Sequence, residues 1–106
     1  FIYIGDVIKA CRLLAETDVH EMVFNIGSGQ GICLREVIAL FDRFLKIPLK
    51  INYIEGRKND ILASILDIGK STNMLGFEPS VSLSAGLELT LSLYQNQYPE
   101  LRQFLR

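Results

Sequence analysis

The sequence predicts an α/β fold, and three observations carry that reading. First, Met22-Val23-Phe24-Asn25-Ile26 is a short apolar run of strand formers, and Gly27-Ser28-Gly29-Gln30-Gly31 behind it is a turn with three glycines. From Leu34 the spacing becomes helical, with Leu34, Val37, Ile38, Phe41, Phe44 and Leu45 on one face, so the stretch is half of a βαβ unit. Second, Leu49–Ile54 alternates, with Leu49, Ile51 and Tyr53 on one side and Lys50 and Asn52 on the other. Third, the links between such runs are short. The order expected is βαβαβ(β)αα within one domain covering residues 1–106.

Taken from the start, Phe1–Ile4 is an expected strand and Asp6 a candidate N-cap. Val7 to about Glu16 is an expected helix, with Val7, Ile8, Ala10, Cys11, Leu14 and Ala15 inward. Residues 17–21 form a polar loop holding His20, the chain's one histidine. The helix that opens at Leu34 runs to about Lys46, where Pro48 stops it. Residues 55–60 are a polar loop, and 61–66 are apolar, either a strand or a loop crossing the core. Asp67 caps a short helix from Ile68 to Leu75, with Gly76 placed to end it. Ser82 or Ser84 caps the last helix, whose inward face is Leu83, Leu87, Leu91 and Tyr94, widened by Leu89 and Leu93.

Composition bounds the function. The 106 residues carry 11 Lys+Arg against 12 Asp+Glu, so no basic excess exists to neutralise a nucleic-acid backbone. No apolar run is long enough to span a membrane and no signal peptide is visible, which with two cysteines and no Cys-x-x-Cys points to the cytoplasm. One histidine and two cysteines are too few ligands for a zinc site. The chain opens on Phe1-Ile2-Tyr3-Ile4 without a polar lead, as a piece of a longer protein would.

No catalytic residues are assigned. His20 has polar neighbours and no nucleophile within its segment, and no Tyr/Lys pair shows four-residue helical spacing. The Gly27–Gly31 turn has the wrong spacing for a dinucleotide fingerprint; it is either an anion cradle or turn chemistry. The remaining candidate is the loop Glu55-Gly56-Arg57-Lys58-Asn59-Asp60. Arg57 offers a planar fork of donors suited to phosphate, Asp60 can accept from sugar hydroxyls, and Asn59 tolerates the left-handed region. The same charges also suit a plain solvated loop.

Five stretches, in order, resemble the C-terminal part of the extended short-chain dehydrogenase/reductases, the nucleotide-sugar epimerases and dehydratases. Phe1-Ile2-Tyr3-Ile4-Gly5-Asp6-Val7 is similar to the family's aromatic-Val-Tyr-Val-x-Asp-Val, and Val23-Phe24-Asn25-Ile26-Gly27-Ser28-Gly29 to its Val-Phe-Asn-Ile-Gly-Ser-Gly. Arg57-Lys58-Asn59-Asp60 resembles Arg-Pro-Gly-Asp. Asp67-Ile68-Gly69-Lys70 with Leu75-Gly76-Phe77-Glu78-Pro79 resembles Asp-x-x-Lys and Leu-Gly-aromatic-x-Pro, and Leu83-Ser84-Ala85-Gly86-Leu87 resembles Leu-x-x-Gly-Leu. The resemblance implies a small substrate-binding lobe, inactive as isolated, whose partner is an N-terminal Rossmann domain that holds NAD(P) and the catalytic Tyr-x-x-x-Lys; no cofactor is expected on this piece. It implies a nucleoside-diphosphate sugar as ligand, with Arg57 on the diphosphate and Asp60 on a ribose hydroxyl. Lys58-Asn59 departs from Pro-Gly, which leaves the substrate open. A carbonyl reductase of the same fold that acts on a substrate without any nucleotide, in which Arg57 is structural, and a free-standing binding or assembly module are the alternatives. Apolar surface on the Val7–Glu16 helix and at Phe24, left without the rest of the enzyme, predicts self-association.

Overall fold

A computed structural model describes residues 1–20 and 23–105. Among them, helices account for about half of the chain: α1 (Ile4–Glu16), α2 (Leu34–Phe44), α3 (Gly69–Leu75), α4 (Leu83–Gln97) and a 3-10 helix at Pro99–Phe104. No β-strand forms among the described residues; the β-type pairing is a single antiparallel bridge between Leu45 and Leu105. The expected βαβαβ order is corrected accordingly.

The physical reason is non-local. A strand exists only where a neighbour takes up its N–H and C=O groups. Phe1–Tyr3 runs directly into α1, the Tyr3 carbonyl accepting from the Asp6 and Val7 amides at 3.1 and 3.4 Å. Val23–Ile26 is tied by side chains instead of a ladder: Lys70 Nζ donates to the Val23 carbonyl (3.0 Å) and Ser71 Oγ to the Asn25 carbonyl (2.9 Å). Leu49–Ile54 has strand alternation but no backbone hydrogen bond to any described residue. Met22, the start of one expected strand, lies outside the described residues.

The chain divides into two compact units, Phe1–Gln30 with Ile65–Gly86, and Gly31–Ser64 with the chain from Leu87 on. The first contains α1, α3 and the opening turn of α4. Its core is Ala10, Leu75 and Phe77, with Ile2, Leu13, Leu14, Val19, Phe24 and Ile26 packed against it. Phe77 is fully buried because Gly76 turns the chain back under α3: at φ 63° Gly76 is left-handed, its N–H reaches the Ser71 and Thr72 carbonyls, and Phe77 N–H returns to the Ser71 carbonyl at 3.2 Å. This is the ending expected of that glycine.

α1 begins at Ile4, three residues before the expected start, with Tyr3 as its N-cap. Asp6 is therefore not a cap of α1. It lies in the first turn, 2% exposed, and reaches across to the segment before α4. Its carboxylate accepts the Ser80 N–H (3.2 Å to each oxygen), the Ser80 hydroxyl (2.8 Å) and the Val81 N–H (3.0 Å). Ser82 then caps α4 through its hydroxyl, which accepts the Ala85 N–H at 3.2 Å. Asp6, Ala10, Leu13 and Leu14 make the inward face of α1, while Ile8, Cys11 and Ala15, expected inside, are exposed. The Tyr3 ring lies over the start of α4 because Gly86 has no side chain; a Cβ there would stand 3.1 Å from Tyr3 Cδ2.

The second unit contains α2, the rest of α4 and the 3-10 helix. α2 opens with a Glu36 Oε2 contact to the Cys33 N–H at 2.8 Å, and ends where Leu45 N–H bonds the Phe41 carbonyl. Lys46 N–H donates to the Phe104 carbonyl (2.8 Å) beside the Leu45–Leu105 bridge, which ties the segment after α2 to the last described residues. Along α4, Leu87 and Leu91 are half-buried, but Tyr94, Leu89 and Leu93 are exposed, which narrows the expected apolar face. Among the described residues no helix is long and apolar enough to cross a membrane.

Candidate functional site

The loop that bears Arg57 and Asp60 is part of the second unit. Every residue from Lys50 to Ser64 is exposed, so what shapes the loop is local. Asp60 N–H donates to the Arg57 carbonyl at 3.1 Å, closing a reverse turn with Lys58 and Asn59 at its corners. The Asp60 side chain answers from the other side: its Oδ2 accepts the Arg57 N–H at 3.3 Å. The two residues singled out in the sequence are thus brought together, as the two ends of one turn.

Asn59 does not use the left-handed region. No non-glycine residue among those described has a positive φ, so both corners are as in a type I turn, which requires neither Pro nor Gly. The turn therefore closes with Lys58 and Asn59 at its corners, without Pro or Gly at either. The Arg57 guanidinium makes no hydrogen bond or ion pair with any described residue, and one Asp60 oxygen, Oδ1, remains open. The arrangement offers a fork of cationic donors and one carboxylate acceptor, four positions of chain held together by two hydrogen bonds.

The Gly27–Gly31 turn is built differently. Ser28 Oγ accepts the Gln30 N–H at 3.3 Å, Gly29 is left-handed at φ 68°, and a Cβ on Gly27 would meet the Leu66 side chain at 3.3 Å. These glycines serve a tight turn and close packing. The N-terminus of α2 beyond it is already closed by the Glu36 carboxylate. Backbone and side-chain hydrogen bonds from Cys33 hold that carboxyl below its ordinary value of 4.5. The carboxylate thus takes up the N–H of the residue that precedes α2.

His20 is exposed, Cys11 and Cys33 are free thiols, and no three His, Cys, Asp or Glu among the described residues gather as metal ligands. Asp6 is the buried acid the sequence misplaced. Burial alone would push its carboxyl up; the Ser80 hydroxyl, the Val81 and Ser80 amides and the Lys9 ammonium outweigh that and hold it below its ordinary 3.8. Its place is structural, between α1 and the start of α4, and its partners stand 74 and 75 positions away, where no spacing rule finds them.

No family model and no solved structure matches the chain. Among curated proteins it is similar to an uncharacterized protein of Methanocaldococcus jannaschii (28% identical over 88 residues, 83% of this chain and 27% of that protein). It is also similar to the dTDP-4-dehydro-6-deoxyglucose reductase of Escherichia coli (33% over 88 residues, 83% and 28%). A third relative is the UDP-glucuronate 4-epimerase of Thermodesulfobacterium geofontis (27% over 93 residues, 87% and 28%). The chain is a distant relative of nucleotide-sugar epimerases and reductases. It spans just over a quarter of the length of each of these three relatives.

Proposed function

We propose that this chain is the nucleoside-diphosphate-sugar-binding part of an NAD-dependent sugar epimerase or dehydratase of the extended short-chain dehydrogenase/reductase type, silent in catalysis alone. The observation that carries the reading is the Arg57–Asp60 turn: a free guanidinium and an open carboxylate oxygen presented together. The chain around it is similar to proteins named for UDP- and dTDP-linked sugars. In this reading the Arg57 fork donates to the diphosphate oxygens, and Asp60 Oδ1 accepts from a ribose hydroxyl while Oδ2 keeps the turn closed.

The residues present do not fit a dinucleotide. The Gly27-Ser28-Gly29-Gln30-Gly31 spacing is wrong for the fingerprint, and Gly27 and Gly29 serve a tight turn and close packing against Leu66 and Ile68. We therefore derive no step through NAD(P) on this chain and assign its binding, with the Tyr-x-x-x-Lys chemistry, to a Rossmann domain that this lobe joins. In the cytoplasmic enzyme so assembled, hydride and proton transfer occur outside residues 1–106.

The test is made on the chain joined to the N-terminal portion of its own reading frame. Turnover of a nucleotide sugar should depend on NAD(P), and Arg57→Ala should raise KM about 30-fold, the equivalent of about 2 kcal/mol for a charge-assisted phosphate contact. An unchanged KM refutes the assignment. The similarity to a dTDP-sugar reductase favours a second reading of the same nucleotide-sugar site, reduction of the sugar carbonyl rather than epimerisation. Net oxidation of added NAD(P)H, rather than its return within the turnover, identifies that case.

A further inference from the structure

We propose that Lys58 is a second phosphate ligand beside Arg57, so that this turn engages a diphosphate with two cations. The inference rests on the reading of the loop as a diphosphate site and names a recognition residue that the reading does not contain.

Lys58 occupies the first corner of the turn, next in the chain to Arg57, with the two Cα atoms about 3.8 Å apart as in any trans peptide. Both side chains are exposed, and neither makes an ion pair or hydrogen bond with a described residue. The nearby acids do not neutralise them. Asp60 spends Oδ2 on the Arg57 backbone N–H, and Glu55 makes no ion pair among the described residues. Lysine has no conformational duty at that corner. The residue that presets φ there is proline, and the turn closes through the two Arg57–Asp60 hydrogen bonds without it. What lysine adds is an ammonium on a flexible stem, a point charge that complements the planar fork of Arg57. A diphosphate ester carries a negative charge on each of its two phosphoryl groups, so one cation per phosphoryl group is the complement this turn presents.

The experiment follows backbone amide shifts of the 106-residue chain by NMR during titration with uridine diphosphate. The wild type is compared with Arg57→Ala, Lys58→Gln and Lys58→Pro. Proline is favoured at the first corner of a type I turn, so Lys58→Pro removes the charge and keeps the turn. Both Lys58 variants should bind about tenfold more weakly, and their affinity should fall less steeply with added salt than that of the wild type. Wild-type affinity in both Lys58 variants, with Arg57→Ala weakened, overturns this inference alone. Weakening in Lys58→Gln but not in Lys58→Pro assigns the effect to the backbone and overturns it as well. If the wild type does not bind, or Arg57→Ala binds as the wild type does, the reading of the loop falls and the inference with it.

Discussion

Asp6→Ala should be among the most damaging single changes in the first unit. The carboxylate is 2% exposed and holds three donors, the Ser80 amide, the Ser80 hydroxyl and the Val81 amide, at 2.8–3.2 Å. A hydrogen bond to an ionised acceptor contributes about 1.5–3 kcal/mol, so three intact ones set a ceiling of about 4.5–9 kcal/mol. The ceiling is not reached, because Ser80 is exposed and its donors rehydrate once the acceptor is gone. A loss of about 2–4 kcal/mol is expected, in the range of other broken buried polar contacts. Asp6→Asn keeps the shape and one acceptor oxygen and should lose less. The assay is urea unfolding followed by far-UV circular dichroism. It also has a pH arm. The folded-state carboxyl titrates below its ordinary 3.8, so its stabilisation is fully present above that value and is lost as pH falls through the lower, folded-state value. The gap between wild type and Asp6→Ala should therefore narrow as pH drops below 3.8. A loss under about 0.5 kcal/mol at neutral pH, the size of an ordinary surface change, would refute the clasp; so would a gap that stays constant into strong acid.

Two further outcomes follow. Gly76→Ala should cost about 1–2 kcal/mol in thermal or urea unfolding: the position is left-handed at φ 63°, no atom lies within 4 Å of the added Cβ, and the penalty is that of the backbone conformation alone. Gly76→Asn should recover part of it. The exposed apolar side chains of Ile4 and Ile8 on α1, and of Phe1 just before it, each more than 60% exposed, should drive self-association of the chain, read as a concentration-dependent sedimentation coefficient that Ile8→Lys reduces. A strictly monomeric profile at all concentrations refutes it.

The chemistry proposed for Arg57 and Asp60 was legible because it resides in two side chains three positions apart; that they close one reverse turn was not. What could not be read was the conformation of Asn59, since asparagine suits either sign of φ, and with it the fact that the turn leaves Lys58 free of any conformational task. The Gly27–Gly31 turn was ambiguous for the same reason. Glycine spacing is shared by anion cradles and tight turns, and only the left-handed Gly29 and the packing of Gly27 against Leu66 show the second use here.

By itself the sequence determined where the four α-helices stand and that Gly76 ends one of them, and it narrowed the cap of α4 to Ser82 or Ser84, because each depends on side chains and backbone within about one turn of helix. Tertiary structure alone decided that Phe1–Tyr3, Val23–Ile26 and Leu49–Ile54 are not strands, since a ladder requires a neighbour that strand propensity does not supply. It also decided which side of α1 faces inward. An apolar stripe holding Ile8 and Cys11 and one holding Ala10, Leu13 and Leu14 overlap in sequence, and the choice fell to what packs against them: Phe77 and Leu75. The same distance effect turned Asp6 from an expected cap of its own helix into a clasp on Ser80, because a buried carboxylate goes to whichever donors the fold brings within about 3 Å.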